Sequence, residues 1–182
     1  MEVIGITGTL GAGKSTIVNH LIKHGFKDYS VRNFIITEIK KRGLEINRDN
    51  MVIVANDLRK TKSPSYIVES LYNKATGNKI IIESIRTPGE IEALKQKGKF
   101  TLIAVDAEQH LRYERITKRG SETDKISFEK FKEDEKKEFN NNDPSKQNLK
   151  KCIEMSDYKF DNNNTLDNLK KKVEKWINLN FG

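Results

Sequence analysis

Apolar residues along the chain recur in two rhythms, and the two alternate. Val3-Ile4-Gly5-Ile6, Ile80-Ile81-Ile82 and Thr101-Leu102-Ile103-Ala104-Val105 are short runs rich in β-branched residues, without polar alternation. Such runs predict strands buried on both faces. Between them, apolar positions return every three or four residues, the spacing of one helix face. The pattern predicts a first strand over residues 2–6 and a helix over 14–24 ended by Gly25. A short second strand or turn follows from Phe26 to Val31, then a helix from Asn33 to Arg42 and another that Asn47-Arg48-Asp49-Asn50 begins, Met51 to Leu58, ending near Arg59. Ser65 is placed to cap a helix from Tyr66 to Ala75. The Ile80 strand is expected to stop at Glu83, and Pro88-Gly89-Glu90 to open a helix through Lys97. The Thr101 strand ends at Asp106. Helices are expected from Glu108 to Arg119, from Ser127 to Phe139 and from about Lys146 to Glu154. Tyr158-Lys159-Phe160 reads as a last short strand, and Leu166 to Leu179 as a last amphipathic helix, with Trp176, Val173 and Ile177 packing on the sheet. Repeated βα order predicts an α/β fold with a parallel central sheet covered by helices on both faces.

Chemistry enters between the first strand and the first helix. Gly8-Thr9-Leu10-Gly11-Ala12-Gly13-Lys14-Ser15 matches G-x-x-x-x-G-K-[ST] in full. Glycines let successive N–H groups turn inward onto phosphate oxygens, and the helix start beginning at Lys14, Ser15 and Thr16 adds partial positive charge. Lys14 is placed for the β and γ phosphates and the Ser15 hydroxyl for Mg²⁺, so ATP and Mg²⁺ are the expected cofactors.

Phosphoryl transfer then needs a carboxylate near the metal and cationic clamps on the phosphates. Glu83 stands at a strand C-terminus, where open α/β sheets build their sites; it is the candidate to hold Mg²⁺ or orient the acceptor. Asp106 ends the next strand and ranks below it. The chain prefers lysine, so its arginines stand out, and arginine alone grips phosphate with a planar fork. Arg86 follows Glu83 by three residues. Arg115 and Arg119 share one helix face, with Arg112 a turn earlier. Arg59 ends a helix between the second strand and Ile80. His20, His24 and His110 lack metal-ligand spacing. There is no G-x-S-x-G and no Asn-Lys-x-Asp.

Composition narrows the setting. The 182 residues suffice for one domain, and the formal net charge of +8 suits an anionic ligand such as a nucleotide. Much of the excess is lysine on surface-like helices, so nucleic acid is not the favoured partner. A single cysteine fits a reducing cytoplasm. No run is long enough to span a membrane and no leader is visible, so the expected setting is cytoplasmic.

Together these motifs resemble the P-loop nucleoside monophosphate kinase superfamily, including adenylate kinase-related and dephospho-CoA kinase-like proteins. GTLGAGKS is the shared loop. IIIESIRTPGE looks like the strand and phosphate-reading arginine written D-G-x-x-R in these kinases, with Glu83 replacing Asp. RYERITKR looks like the helix entering the lid, with Arg115 and Arg119 on the transferring phosphate. SDYKFDNNNT looks like the late strand and turn beside the adenine, which implies a place for Asn164. The resemblance implies a core of residues 1–31, 77–116 and 148–182, a substrate-binding segment at about 32–76 and a lid at about 117–147. Arg32 and Arg59 then fall where the acceptor nucleotide is held, beside Arg86.

One departure directs the choice of acceptor. Dephospho-CoA kinases carry Asp-x-Asp after the second strand, whereas this chain has Ser30-Val31-Arg32. A hydroxyl acceptor benefits from a base; a phosphate acceptor needs cations instead. The expectation is therefore an ATP-dependent phosphotransferase acting on a nucleotide or nucleotide-like acceptor, a nucleoside monophosphate. Asp28 remains as a base that could rotate in. A dephospho-CoA kinase is the alternative, and an ATP-binding regulatory or RNA-binding protein the rival from another class. The lid's second part lacks a further arginine, leaving Lys136, Lys137 or Lys146 to substitute.

Overall fold

The computed structural model describes residues 1–182, apart from the side chain of Glu122. Five parallel strands form one sheet in the order β2-β3-β1-β4-β5. They are β1 (Glu2–Gly8), β2 (Lys27–Ser30), β3 (Lys79–Ile85), β4 (Lys99–Asp106) and β5 (Tyr158–Asp161). The helices are α1 (Lys14–Lys23), α2 (Val31–Lys41), α3 (Arg48–Thr61), α4 (Tyr66–Lys74), α5 (Pro88–Lys95), α6 (Gln109–Arg119), α7 (Phe128–Phe139), α8 (Leu149–Glu154) and α9 (Leu166–Phe181), with a 3-10 turn at Glu122–Asp124.

The period-two geometry of a strand sends successive side chains to opposite faces. Val3, Ile80, Ile82 and Leu102 join one core with α2, α3, α4, α5 and α8. Ile4, Ile6, Ile81, Ile103 and Val105 join the other with α1 and α9, where Trp176, Val173 and Ile177 pack as expected. The free Cys152 lies in the first core, and its burial, with the Glu90 carboxylate nearby, pushes the thiol up to about 12.

Three local expectations need correction. β3 does not stop at Glu83; it runs on to Ile85. Its register against β1 steps from Ile6–Glu83 to Thr7–Ile85, leaving Ser84 unpaired at φ 64°. Such a bulge re-aims neighbouring side chains, here Glu83 and Ser84. α3 opens at Arg48 within the expected Asn47–Asn50 start, where Asn47 accepts from the Asn50 N–H at 2.9 Å, but it runs on to Thr61, past the end expected near Arg59. Ser65 stands at the start of α4, but its hydroxyl donates to Glu69 at 2.7 Å instead of capping the backbone.

Candidate active site

The loop between β1 and α1 is shaped by close backbone approach. A Cβ on Gly8 would lie 2.0 Å from the Val105 carbonyl oxygen, and Gly8 sits at φ +138°. Gly13, at φ +107°, opens α1, and its missing Cβ leaves room for Asn162, whose Nδ2 donates to the Ala12 carbonyl at 2.8 Å. The Thr9 hydroxyl donates to Asp106 at 2.5 Å, and Arg112 donates to the Leu10 carbonyl at 3.2 Å. Asp106 and Arg112 are thus anchors of the loop, positioned by the end of β4 and the buried face of α6. Gly8, Thr9 and Ala12 shape the loop from below; Leu10, Gly11, Gly13, Lys14, Ser15 and Thr16 face a cleft of about 710 Å³.

Lys14 folds back across the loop, donating to the carbonyls of Gly8 at 2.8 Å and Thr9 at 2.7 Å. Burial, reinforced by the Arg86 cation, lowers its pKa to about 7. A lysine gathered with several arginines at one site is costly unless an anion joins it.

Arg32, Arg59, Glu83, Arg86, Arg115 and Arg119 all line the same cleft as Lys14. Their present partners differ. Arg115 donates to the Asn162 carbonyl at 2.8 Å, while its Nη1 is buried with no hydrogen-bond partner among the described residues. Arg119 forms a two-pronged pair with Asp124, both bonds 2.7 Å, which raises its pKa further. Among the described residues, Arg32 donates to the Met51 sulfur at 3.5 Å. Glu83 accepts from Ser30 at 2.5 Å and from the Ser84 hydroxyl.

Arg59 is more deeply held than the sequence indicated. It is 1% exposed; its Nε donates to one Glu90 oxygen at 2.9 Å, and its Nη2 lies 2.9 Å from the same oxygen as an ion pair. The second Glu90 oxygen accepts from the backbone N–H groups of Arg86 at 2.8 Å and Thr87 at 3.2 Å. One carboxylate thereby ties α3 to the start of α5. Nη1 of Arg59 remains buried without a hydrogen-bond partner among the described residues, as does Nη1 of Arg86.

Asn164 is exposed and does not line the cleft; Asn162, two residues earlier, does. The turn after β5 places Asn162, not Asn164, over the loop. Two other cleft residues carry more weight than the sequence suggested. Arg48 pairs with Glu138 of α7 at 2.7 Å and lies 3.4 Å from Asp134; its signal, an arginine in a lysine-rich chain, was hidden within a stretch read as a helix start. Asp28 lines the cleft without rotating in, and burial, then the Glu83 charge, raises its pKa to about 6. The stretch after Phe26 therefore does bring a carboxylate to the site.

Known proteins share the family and the fold of this chain. Residues 4–141 match the family model described as an AAA domain. A UPF0200 protein of Pyrobaculum aerophilum is 32% identical over 132 residues, covering 72% of this chain and 74% of its own. The chain belongs to the UPF0200 family. Another member, from Methanocaldococcus jannaschii, is 30% identical and spans 100% of this chain and 97% of its own. Among solved structures, TT1252 from Thermus thermophilus superposes on this UPF0200 chain with TM-score 0.60 at 15% identity, covering 100% of this chain and 98% of that one. Shikimate kinase from Bacteroides thetaiotaomicron gives 0.60 at 11%, covering 98% and 97%. Dephospho-CoA kinase from Campylobacter jejuni gives 0.53 at 16%, covering 98% and 96%. The likeness is one of fold: a P-loop, kinase-like α/β domain. Among the described residues, no helix is long and apolar enough to cross a membrane.

Proposed function

We propose that this chain transfers the γ-phosphoryl group of ATP to a small anionic acceptor, a nucleoside monophosphate. The observation that carries the reading is the pair of guanidinium groups of Arg86 and Arg115, each with a buried Nη1 that has no hydrogen-bond partner among the described residues, both on the cleft that holds Lys14. Buried cations of this kind fit anionic oxygens on both the donor and the acceptor side.

The residues present also fit Mg²⁺–ATP. The loop amides and Lys14 suit the polyphosphate, and the Ser15 hydroxyl with the Asp28 and Glu83 carboxylates forms a hard oxygen set of the kind Mg²⁺ accepts. When bound, Mg²⁺ would neutralise charge on the phosphates, held by these oxygen ligands. Lys14 exchanges two carbonyl contacts for phosphate oxygens. Arg115 and Arg119 reach the transferring group from α6, and Arg119 gives up Asp124 to do so. Arg32, Arg59 and Arg86 hold the acceptor beside an apolar wall of Val31, Ile35, Met51, Val52 and Ala55 that suits a flat base. α2, α3 and α4 form the acceptor segment, and α7 with the adjoining turn forms the lid, whose closure excludes water.

A second reading, an acceptor hydroxyl as in dephospho-CoA, is favoured by one observation: Asp28 carries a pKa near 6 within the cleft, the condition of a usable base. A panel of nucleoside monophosphates and dephospho-CoA, followed by ADP release, separates the two. Phosphate acceptors are expected to turn over, and Lys14→Ala to lower the rate by about a hundredfold or more while the protein stays folded by circular dichroism. Turnover of dephospho-CoA alone would select the second reading; undiminished activity in Lys14→Ala would overturn both.

A further inference from the structure

The inner end of the cleft contains a carboxylate whose surroundings are those of a bound anion. Glu138, near the C-terminus of α7, is 6% exposed. One oxygen accepts from Arg48 at 2.7 Å, and the other lies 3.9 Å from Arg86 Nη1, too far for a hydrogen bond. Arg59 Nη1 is also buried with no hydrogen-bond partner among the described residues, and Arg59 lines the same cleft as Glu138, linked through Glu90 to the Arg86 backbone. Glu138 thus satisfies Arg48 at Nη2 and not at Nε, lies near Arg86 without a hydrogen bond, and does not reach the Arg59 Nη1. It belongs to α7, an element joined to α3 by Arg48–Asp134 and Lys130–Asp49 as well. The arginines it meets belong to α3 and to the turn after β3.

We propose that Glu138 is a specificity-determining residue: an internal surrogate that occupies the acceptor's anion subsite and must be displaced by the acceptor. The inference rests on the phosphotransferase reading and deepens it by naming the anion. A carboxylate tethered to the same molecule competes at an effective concentration of about millimolar or higher. A carboxylate acceptor offers the arginines no more charge than Glu138 already supplies. A phosphomonoester brings close to two charges and three oxygens, enough to bridge Arg48, Arg86 and the free Nη1 of Arg59 together. The subsite therefore admits phosphomonoesters and rejects monocarboxylates, and lid release is tied to acceptor binding through the Arg48–Glu138 contact.

The test is a calorimetric titration with inorganic phosphate, then with acetate, while a non-hydrolysable ATP analogue and Mg²⁺ saturate the loop. Wild-type protein is expected to bind phosphate and not acetate. Glu138→Gln, which keeps the side-chain shape, is expected to bind phosphate about tenfold more tightly and to bind acetate measurably. The gain should vanish when Arg86→Gln is added, because the liberated partner is then missing. Should Glu138→Gln fail to fold, Glu138→Asp, too short to span both arginines, takes its place and is expected to show the same direction of change. Phosphate affinity unchanged or weakened in the single variant, or a gain that survives Arg86→Gln, would overturn the proposal. Failure of the ATP analogue to bind any variant would instead refute the phosphotransferase reading, since the phosphate titration needs no turnover.

Discussion

Lys14 is held near neutrality by its neighbours, and its charge therefore depends on what occupies the cleft. Folding lowers its pKa from 10.5 to about 7. Between those values the unfolded chain keeps a proton that the folded chain has lost, so this group makes stability rise with pH across that window and has no further effect above it. A polyphosphate reverses the local balance by bringing negative charge, and the pKa climbs back. Binding of a Mg²⁺–ATP analogue at pH 8 is therefore expected to take up close to one proton, and affinity to fall as pH rises from 7 towards 10. Calorimetry in two buffers of different ionisation enthalpy reads this directly, and binding without net uptake would show that Lys14 does not meet the phosphates. The residue types of the site were legible in the sequence wherever a spacing rule marked them, as for Lys14, Ser15, Arg86 and the Arg115–Arg119 pair. Arg59 and Arg48 were not legible in this sense. Whether a guanidinium meets Glu90, Glu138 or the cleft depends on residues about 30 and 90 positions away, and no local pattern encodes that. Asn164 was misplaced by two residues because a run of asparagines carries no phase.

At the scale of elements, the strand–loop–helix unit of β1 and α1 was readable because its physics is local. Backbone torsions demand glycine, the helix start follows at once, and an apolar run precedes. The strictest point is Gly8. An added methyl would strike the Val105 carbonyl at 2.0 Å, and the backbone would be held where side chains rarely go. Gly8→Ala is expected to destabilise the fold by about 2–4 kcal/mol, measured by urea unfolding. A loss below about 0.5 kcal/mol would mean that the loop shifts freely away from β4. β3 shows what local reading misses. A charged residue after three isoleucines reads as a stop, yet the strand continues through a bulge at Ser84 because Thr7 reaches across to the Ile85 carbonyl at 2.8 Å. That cross-strand bond has no signature within residues 79–85. Helix starts at Asn47, Thr87 and Ser127 were legible because each carries a cap; α2, read from Asn33, starts two residues earlier at Val31 because Ser30, read as strand, caps it by accepting from the Asn33 N–H.

Across the whole molecule, charge is sorted by type. Apart from Lys14, most lysines lie outside and several pair with acids one turn away, as Lys41–Glu38, Lys130–Asp134 and Lys170–Asp167 do. Six of the eight arginines line the cleft. The net charge was visible in the composition, but this sorting depends on how α2, α3, α6 and α7 converge. Arg112 sits at that convergence, bonded to the Leu10 carbonyl, the Ala107 carbonyl and both oxygens of Glu135, with Phe131 packed beneath it. It ties the phosphate loop to α7. Glu135→Gln weakens that tie without removing an arginine from the cleft. Loosened closure admits water, so ADP release in the absence of acceptor is expected to rise severalfold relative to transfer. An unaltered ratio would show that α7 closes independently of the loop.

Cys152, on the buried face of α8 with its thiol pushed up to about 12, has a practical consequence for following the proposed closure. A thiol so rarely ionised and so poorly reached leaves the natural chain blind to maleimide dyes. Cysteines introduced at the exposed positions Ile53 on α3 and Lys136 on α7 would take a fluorophore pair without background, and the gap between the two arms becomes a length that can be watched in solution.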